Sequence, residues 1–409
     1  MKRSVLAGLD IGTHQITAVV GQPGASQPLE ILGLRVGPTR GLAHGVIVDL
    51  GDCVDAIARV VRQVEEQTAT RITTVTATMH GPTIRSHNTT ASITLPDTSS
   101  EISRWDVDRV LAACRTAAVT YDRQLLHEFI QQFAVDDQDG VRNPVGLFGG
   151  KLEAQLHVVT AQTSLLQSWR KVLNHAGLEV GALLLPGVAA SFAVLAELDR
   201  DLGAIVVDIG GVHTDIVCCV DGAVRETMAV PWGGDRLTER LAERFHLPLA
   251  VAEQVKLQCN SIEPSSSDGD TVRVPTGPGA SRSVPRADVV TVLASEIQEL
   301  FAAVRQRLEA SRYFREAAAG LVMTGGTALM AGVLEQAETA CNLPVRLGSL
   351  HGVTAHPRVT MTPTAATAVG LLAYQLARQS QARPPAAPAG THPLGRLVHR
   401  AKALLEDYF

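Results

Sequence analysis

Two stretches of the chain place glycines and aspartates where a phosphate and a divalent cation could be held. Gly203 to Gly222 reads G-A-I-V-V-D-I-G-G-V-H-T-D-I-V-C-C-V-D-G. Its apolar run Ala204 to Val207 meets Asp208 and then Gly210-Gly211, and a second apolar run, Ile216 to Val220, follows. The pattern predicts a β-hairpin whose tip exposes backbone N–H groups. Leu6 to Gly21 repeats it, with Asp10, Gly12 and Thr13 in the same order, 198 residues earlier. One such aspartate commonly does no more than shape a turn. Two copies predict a duplicated fold whose halves face each other across a cleft. Glycines at both tips let N–H groups approach a phosphate, and an aspartate at each strand end can hold a hydrated Mg²⁺.

Other candidates are weaker singly. Thr324-Gly325-Gly326-Thr327 lies between a strand-like run and a helix and offers bare backbone for a purine or ribose. Glu253 and Lys256, three apart, could hydrogen-bond ribose hydroxyls or simply form a solvated ion pair. Neither G-x-G-x-x-G after an early strand nor G-x-x-x-x-G-K occurs, and the 13 histidines show no metal-ligand spacing. Of these histidines, His14 and His213 fall on the two tips.

The elements that must position these residues read as follows. Ile31 to Val36 is strand-like, Cys53 to Glu66 has apolar residues at helical spacing, and Ile72 to Met79 is again strand-like. From residue 83 to 160 a small α+β insert is expected, with polar strands, then a helix opened by Ser103 with Asp106 three residues on, as in a capping box. Helices are expected at Ser164 to Ala176, Ala189 to Leu198, Asp235 to Phe245, Leu249 to Gln258, Arg286 to Phe314 and Ala365 to Ala377. Asn260 to Arg286 reads as loop with a short strand at Val272 to Val274.

With 409 residues, 45% of them hydrophobic and 19% charged, the chain can bury more than one core. A net charge of -5 argues against general nucleic-acid binding, and no nucleic-acid partner is expected. Six cysteines without a C-x-x-C pair favour free thiols in a reducing cytoplasm. Pro186-Gly187 and Gly325-Gly326 interrupt two longer uncharged stretches, Val180 to Ala196 and Ala317 to Leu334, so no membrane-spanning segment is expected.

Together the paired hairpins and the G-G turn resemble the actin, Hsp70 and sugar-kinase ATPase superfamily. Within it the chain resembles the bacterial cell-division FtsA family, on G-L-A-H-G-V-I-V-D-L at Gly41 to Leu50, the stretch His127 to Ala154, and A-V-P-W-G-G-D at Ala229 to Asp235. The resemblance covers nearly the whole chain. It implies an α/β actin-like fold, with two duplicated domains around a nucleotide cleft and the insert as the family's 1C subdomain. It also implies the partition 1–82 and 161–195 for the first domain, 83–160 for the insert, 196–240, 241–305 and 306–350 for the second domain, and 351–378 returning to the first.

The resemblance further implies ATP with Mg²⁺. Gly12, Thr13 and His14 would lie on the β-phosphate side and Gly210 and Gly211 on the γ-phosphate side. Gly325, Gly326, Thr327, Glu253 and Lys256 would hold the adenosine, and Asp10 and Asp208 the hydrated metal. Val212 and His213 replace a glycine and a threonine usual in the family, and Gln15 a frequent lysine. A branched residue at the tip and the loss of a cation predict weak binding and slow turnover at most. The implied role is a cytoplasmic tether that binds the C-terminal peptide of FtsZ at the division septum, self-associates, and recruits later division proteins through the insert. The alternatives are a scaffold resembling the pilus-assembly protein PilM and, from the enzyme class, a sugar kinase.

Residues 379–393 read as a Pro/Ala-rich linker, and 394–409 as an amphipathic helix. Leu394, Leu397, Val398, Leu404, Leu405, Tyr408 and Phe409 fall on one face. Too short and polar to span a bilayer, this helix is expected to lie in the interface of the inner membrane.

Overall fold

A computed structural model of the chain describes residues 5–24, 28–43, 45–96, 101–264, 270–277 and 280–381. Leu6–Ile11 pairs antiparallel with Gln15–Pro23, which pairs antiparallel with Leu29–Pro38. On its other edge Leu6–Ile11 runs parallel to Thr74–Thr78, and that strand parallel to Glu179–Leu184. The second sheet repeats this. Ala204–Ile209 pairs antiparallel with Thr214–Val220 and that strand with Ala223–Val230, while Leu321–Thr324 and Val345–Leu347 continue the sheet in parallel. The repeated hairpin motif therefore marks a repeated five-strand topology. Val353–Ala355 adds a sixth, parallel strand to the first sheet.

Two helices fill the space between the sheets. Pro186–Val194 and Ala366–Gln381 pack so closely that a Cβ on Gly370 would lie 1.8 Å from the Ala189 carbonyl oxygen. Around them a single core joins Val19, Leu29 and Ile31 of the first sheet to Val206, Val217 and Val322 of the second. The halves thus share a base and diverge towards the hairpin tips. Each also has its own core on its outer face, under Leu50–Thr68 in the first and Arg286–Glu309 in the second.

The insert is a four-stranded sheet in the order Arg85–Thr94, Lys151–Gln162, Arg123–Val135, Gln138–Val141, covered by Arg104–Ala118. The helix starts where the sequence marks it. Ser103 N donates to Asp106 Oδ2 at 3.0 Å, and Asp106 N to Ser103 Oγ at 3.3 Å. The insert is not free-standing: its strands abut Ala223–Val230 of the second half. There Gln131 Nε2 donates to the Arg225 carbonyl at 2.8 Å, Arg225 Nη1 to the Gln131 carbonyl at 2.8 Å, and His157 Nε2 lies 2.9 Å from Thr227 Oγ1.

Several boundaries differ from the sequence reading. The stretch Ala189 to Leu198 is two helices, Pro186–Val194 and Glu197–Leu202, because Leu195 adopts an extended conformation between them. Residues 260–286 hold a full hairpin, Thr271–Gly277 with Ala280–Pro285, whose alternating Ser and Arg residues mask strand periodicity. The long helix stops at Glu309, with the short 3-10 turn Arg312–Glu316 following, and Gly325-Gly326-Thr327 opens only one 3-10 turn before the helix Val333–Cys341. The last helix runs on to Gln381. The terminal amphipathic stretch lies outside the described residues, and among those residues no helix is long and apolar enough to cross a membrane.

Candidate functional site

Both hairpin tips open onto one cavity of about 340 Å³ between the halves. Asp10, Gly12, Thr13 and His14 line it from the first half, and Asp208, Gly210 and Gly211 from the second. Gly325, Gly326 and Thr327 close one end, beside Glu253 and Lys256. Every residue singled out for a nucleotide thus faces the same space, although they come from positions over 300 residues apart.

The glycines differ in what they permit. Gly325 has φ +91°, and a Cβ there would lie 2.2 Å from the Ile209 carbonyl oxygen, so the turn requires glycine. Gly326 has φ -64° and ψ -40°, and a Cβ would meet nothing within 4 Å. It borders open cavity and leaves room for a flat ligand. At the tips, Gly12 N donates to the Gln15 carbonyl and Gly210 N to the His213 carbonyl, both at 2.9 Å, so each turn is closed by its own backbone. Two N–H groups that could meet a phosphate are therefore already engaged, and the tip amides left for it come from the residues between.

The floor carries three carboxylates. Asp10 accepts from Thr78 Oγ1 at 2.9 Å, Asp208 from Thr367 Oγ1 at 3.3 Å, and Asp215 from Gly187 N at 3.3 Å. Burial, with mutual repulsion added, pushes Asp208 up to about 8; burial and repulsion from Asp215 push Asp10 to about 6, and burial pushes Asp215 to about 6. Such a floor is unfavourable to ionise unless positive charge is brought to it. Among the described residues no group of three or more His, Cys, Asp or Glu side chains could hold a metal ion directly.

Lys256 and Glu253 form an ion pair at 2.7 Å, and Lys256 Nζ also donates to the Gly234 carbonyl and Thr238 Oγ1, each at 2.9 Å. All three ammonium hydrogens are committed, leaving Glu253 as the partner of the two with capacity for a hydroxyl. His14 pairs across the cleft with Asp235, whose hydrogen bond raises the imidazole above its ordinary value. His213 stacks on His80 with ring centroids 6.0 Å apart, and burial lowers His80 to about 4.

Asp215, Asp235, His80, Thr78 and Thr367 were not singled out from the sequence. A signal existed for Asp215: it stands as far after the tip as Asp208 stands before it. Thr78 and Thr367 carry no local pattern and reach the site only through tertiary packing.

Comparison with known proteins supplies the family. Residues 81–160 match the model of the SHS2 domain inserted in FtsA, and residues 205–370 the model of cell division protein FtsA. The chain is 36% identical to cell division protein FtsA of Pseudomonas aeruginosa over 92% of its length and 90% of the relative's. It is 31% identical to that of Escherichia coli over 91% and 90%. Among solved structures it superposes on the PilM-PilN type IV pilus biogenesis complex with TM-score 0.67 and 17% identity, over 91% of this chain and 99% of that one. It superposes on MreB5 of Spiroplasma citri bound to ADP with TM-score 0.58 and 12% identity, over 93% and 98%. The duplicated sheets and the inserted α+β unit are therefore those of an actin-like ATPase fold, and the chain belongs to the cell division protein FtsA family.

Proposed function

We propose that this cell-division protein binds ATP with Mg²⁺ in the cleft and acts as a membrane tether for FtsZ. The observation that supports this best is the convergence of two hairpin tips and a G-G turn on one cavity above a carboxylate floor. Asp10 and Asp208, with Asp215 beside them, would hold Mg²⁺ through its water shell, in keeping with carboxylates that burial and repulsion make reluctant to ionise alone. The cation would supply charge neutralisation for the phosphates. Thr13, His14 and Gly211 would meet the phosphates, with Gly12 and Gly210 closing the turns that present them, while Gly326, Thr327 and Glu253 would bound the nucleoside.

The chain would bind the C-terminal peptide of FtsZ, self-associate, and meet later division proteins through the insert at the septum. The terminal helix would hold it on the cytoplasmic face of the inner membrane. Pull-down with an immobilised FtsZ C-terminal peptide tests the tether directly: retention supports it, while no retention of a folded, ATP-binding protein favours the PilM-like scaffold.

A further inference from the structure

His14 stands on the first tip, between Thr13 and Gln15, and its Nε2 pairs with Asp235 Oδ1 in the first turn of Gly234–Phe245 in the second half. The halves share a core around Pro186–Val194 and Ala366–Gln381, and this pair links them at the hairpin tips. The second tip presses on the same ring: a Cβ on Gly211 would lie 2.9 Å from His14 Cδ2. Asp235 N in turn donates to the Gly211 carbonyl at 2.8 Å, which fixes the carboxylate beside the tip. The imidazole is 64% exposed, so it can turn without disturbing a core.

The other cations on the cavity wall are poorly suited to receive a phosphate. Lys256 has no uncommitted hydrogen, His80 is kept neutral by burial, His213 is engaged in the stack on His80 and acts on the Asp215 carboxylate, and position 15 is glutamine. The charged groups facing His14 are Asp235 from Gly234–Phe245 and, from Leu249–Cys259, Glu253, which favours its protonation, and Lys256, which opposes it. A phosphate oxygen satisfies an imidazolium as a carboxylate does, with more negative charge behind it.

We propose that Asp235 and the terminal phosphates of the bound nucleotide compete for the His14 imidazole, so that nucleotide entry replaces the ion pair that bridges the two halves. This rests on the nucleotide reading above and adds to it a cross-cleft partner that phosphate must displace. His14 is then a cation that serves the phosphates from the first tip, and Asp235 is a positioning residue that holds it between binding events.

The test compares ATP and adenosine binding to wild type, Asp235→Asn, His14→Gln and the double variant, all in the full-length protein. Asp235→Asn should tighten ATP by roughly two- to fivefold, the ratio expected from releasing a partly exposed ion pair, and leave adenosine unchanged. His14→Gln should weaken ATP, and in its presence Asp235→Asn should bring no gain. Independently, the His14 ring should titrate at lower pH in Asp235→Asn when followed by NMR. If Asp235→Asn weakens ATP, leaves it unchanged, or tightens it equally without His14, the exchange is wrong while the nucleotide site stands. If wild type binds neither ATP nor adenosine, both are wrong.

Discussion

Asp208 and Asp215 stand directly opposite each other on neighbouring antiparallel strands, in register, with the second tip between them. At the matching place in the first hairpin, Asp10 faces Thr17. Like charges opposed across a strand pair destabilise it, so the second hairpin carries an electrostatic cost that the first lacks.

Asp208, Asp10 and Asp215 all have folded-state values raised above the ordinary carboxylate range, Asp208 to about 8 and the others to about 6. Their contribution to stability is therefore fully present below about pH 4 and is lost as pH rises through 6 to 8. Asp208→Asn should raise the Tm by a few degrees at pH 8.5, on the scale of ~1 kcal/mol for a chain this long, and by little at pH 4.5. The same variant should weaken Mg²⁺-dependent ATP binding. Thermal melts at the two pH values check the first claim; a lower Tm at pH 8.5 would show that the carboxylate stabilises the floor.

The insert should be locked to the second half by its buried polar contacts. Gln131 bonds Arg225 in both directions and accepts from Tyr313 Oη at 3.1 Å. Gln131→Ala leaves the Tyr313 hydroxyl and the Arg225 carbonyl without that partner, at a cost of about 1–3 kcal/mol. Hydrogen exchange should speed up in Arg85–Thr94 and Ala223–Val230 together. Faster exchange confined to the insert would mean that this network does not join the two.

How much of this was legible in the sequence depended on whether a feature is local. The hairpins, the Ser103 cap and the G-G turn are each written within a few residues, and all are found where the residues place them. The pairings that close the site are not local. His14 meets Asp235 from 221 residues away, and Asp208 meets Thr367 from 159. The hairpin over 271–285 was legible only as a short strand, because its Ser and Arg residues face outward and leave Val272, Val274 and Val284 as the buried positions.

The terminal stretch, outside the described residues, carries its own expectation. Arg396, Arg400 and Lys402 are largely offset by Glu406 and Asp407, so apolar burial must supply most of any membrane affinity. Liposome co-sedimentation should be lost in Leu405→Asp and retained in moderate salt. Loss on adding salt alone would indicate an electrostatic tether instead.

Whether the cavity between the tips holds a nucleotide is decided at Gly326. Its backbone suits any residue and a side chain there meets open space, so Gly326→Leu should fold with an unchanged Tm while filling room required by the nucleoside. Equilibrium binding of a fluorescent ATP analogue to wild type and Gly326→Leu, each with Mg²⁺, is the measurement. Wild type should bind and the variant should lose affinity at least tenfold; equal affinity of the two proteins would mean that the cavity does not hold the nucleotide.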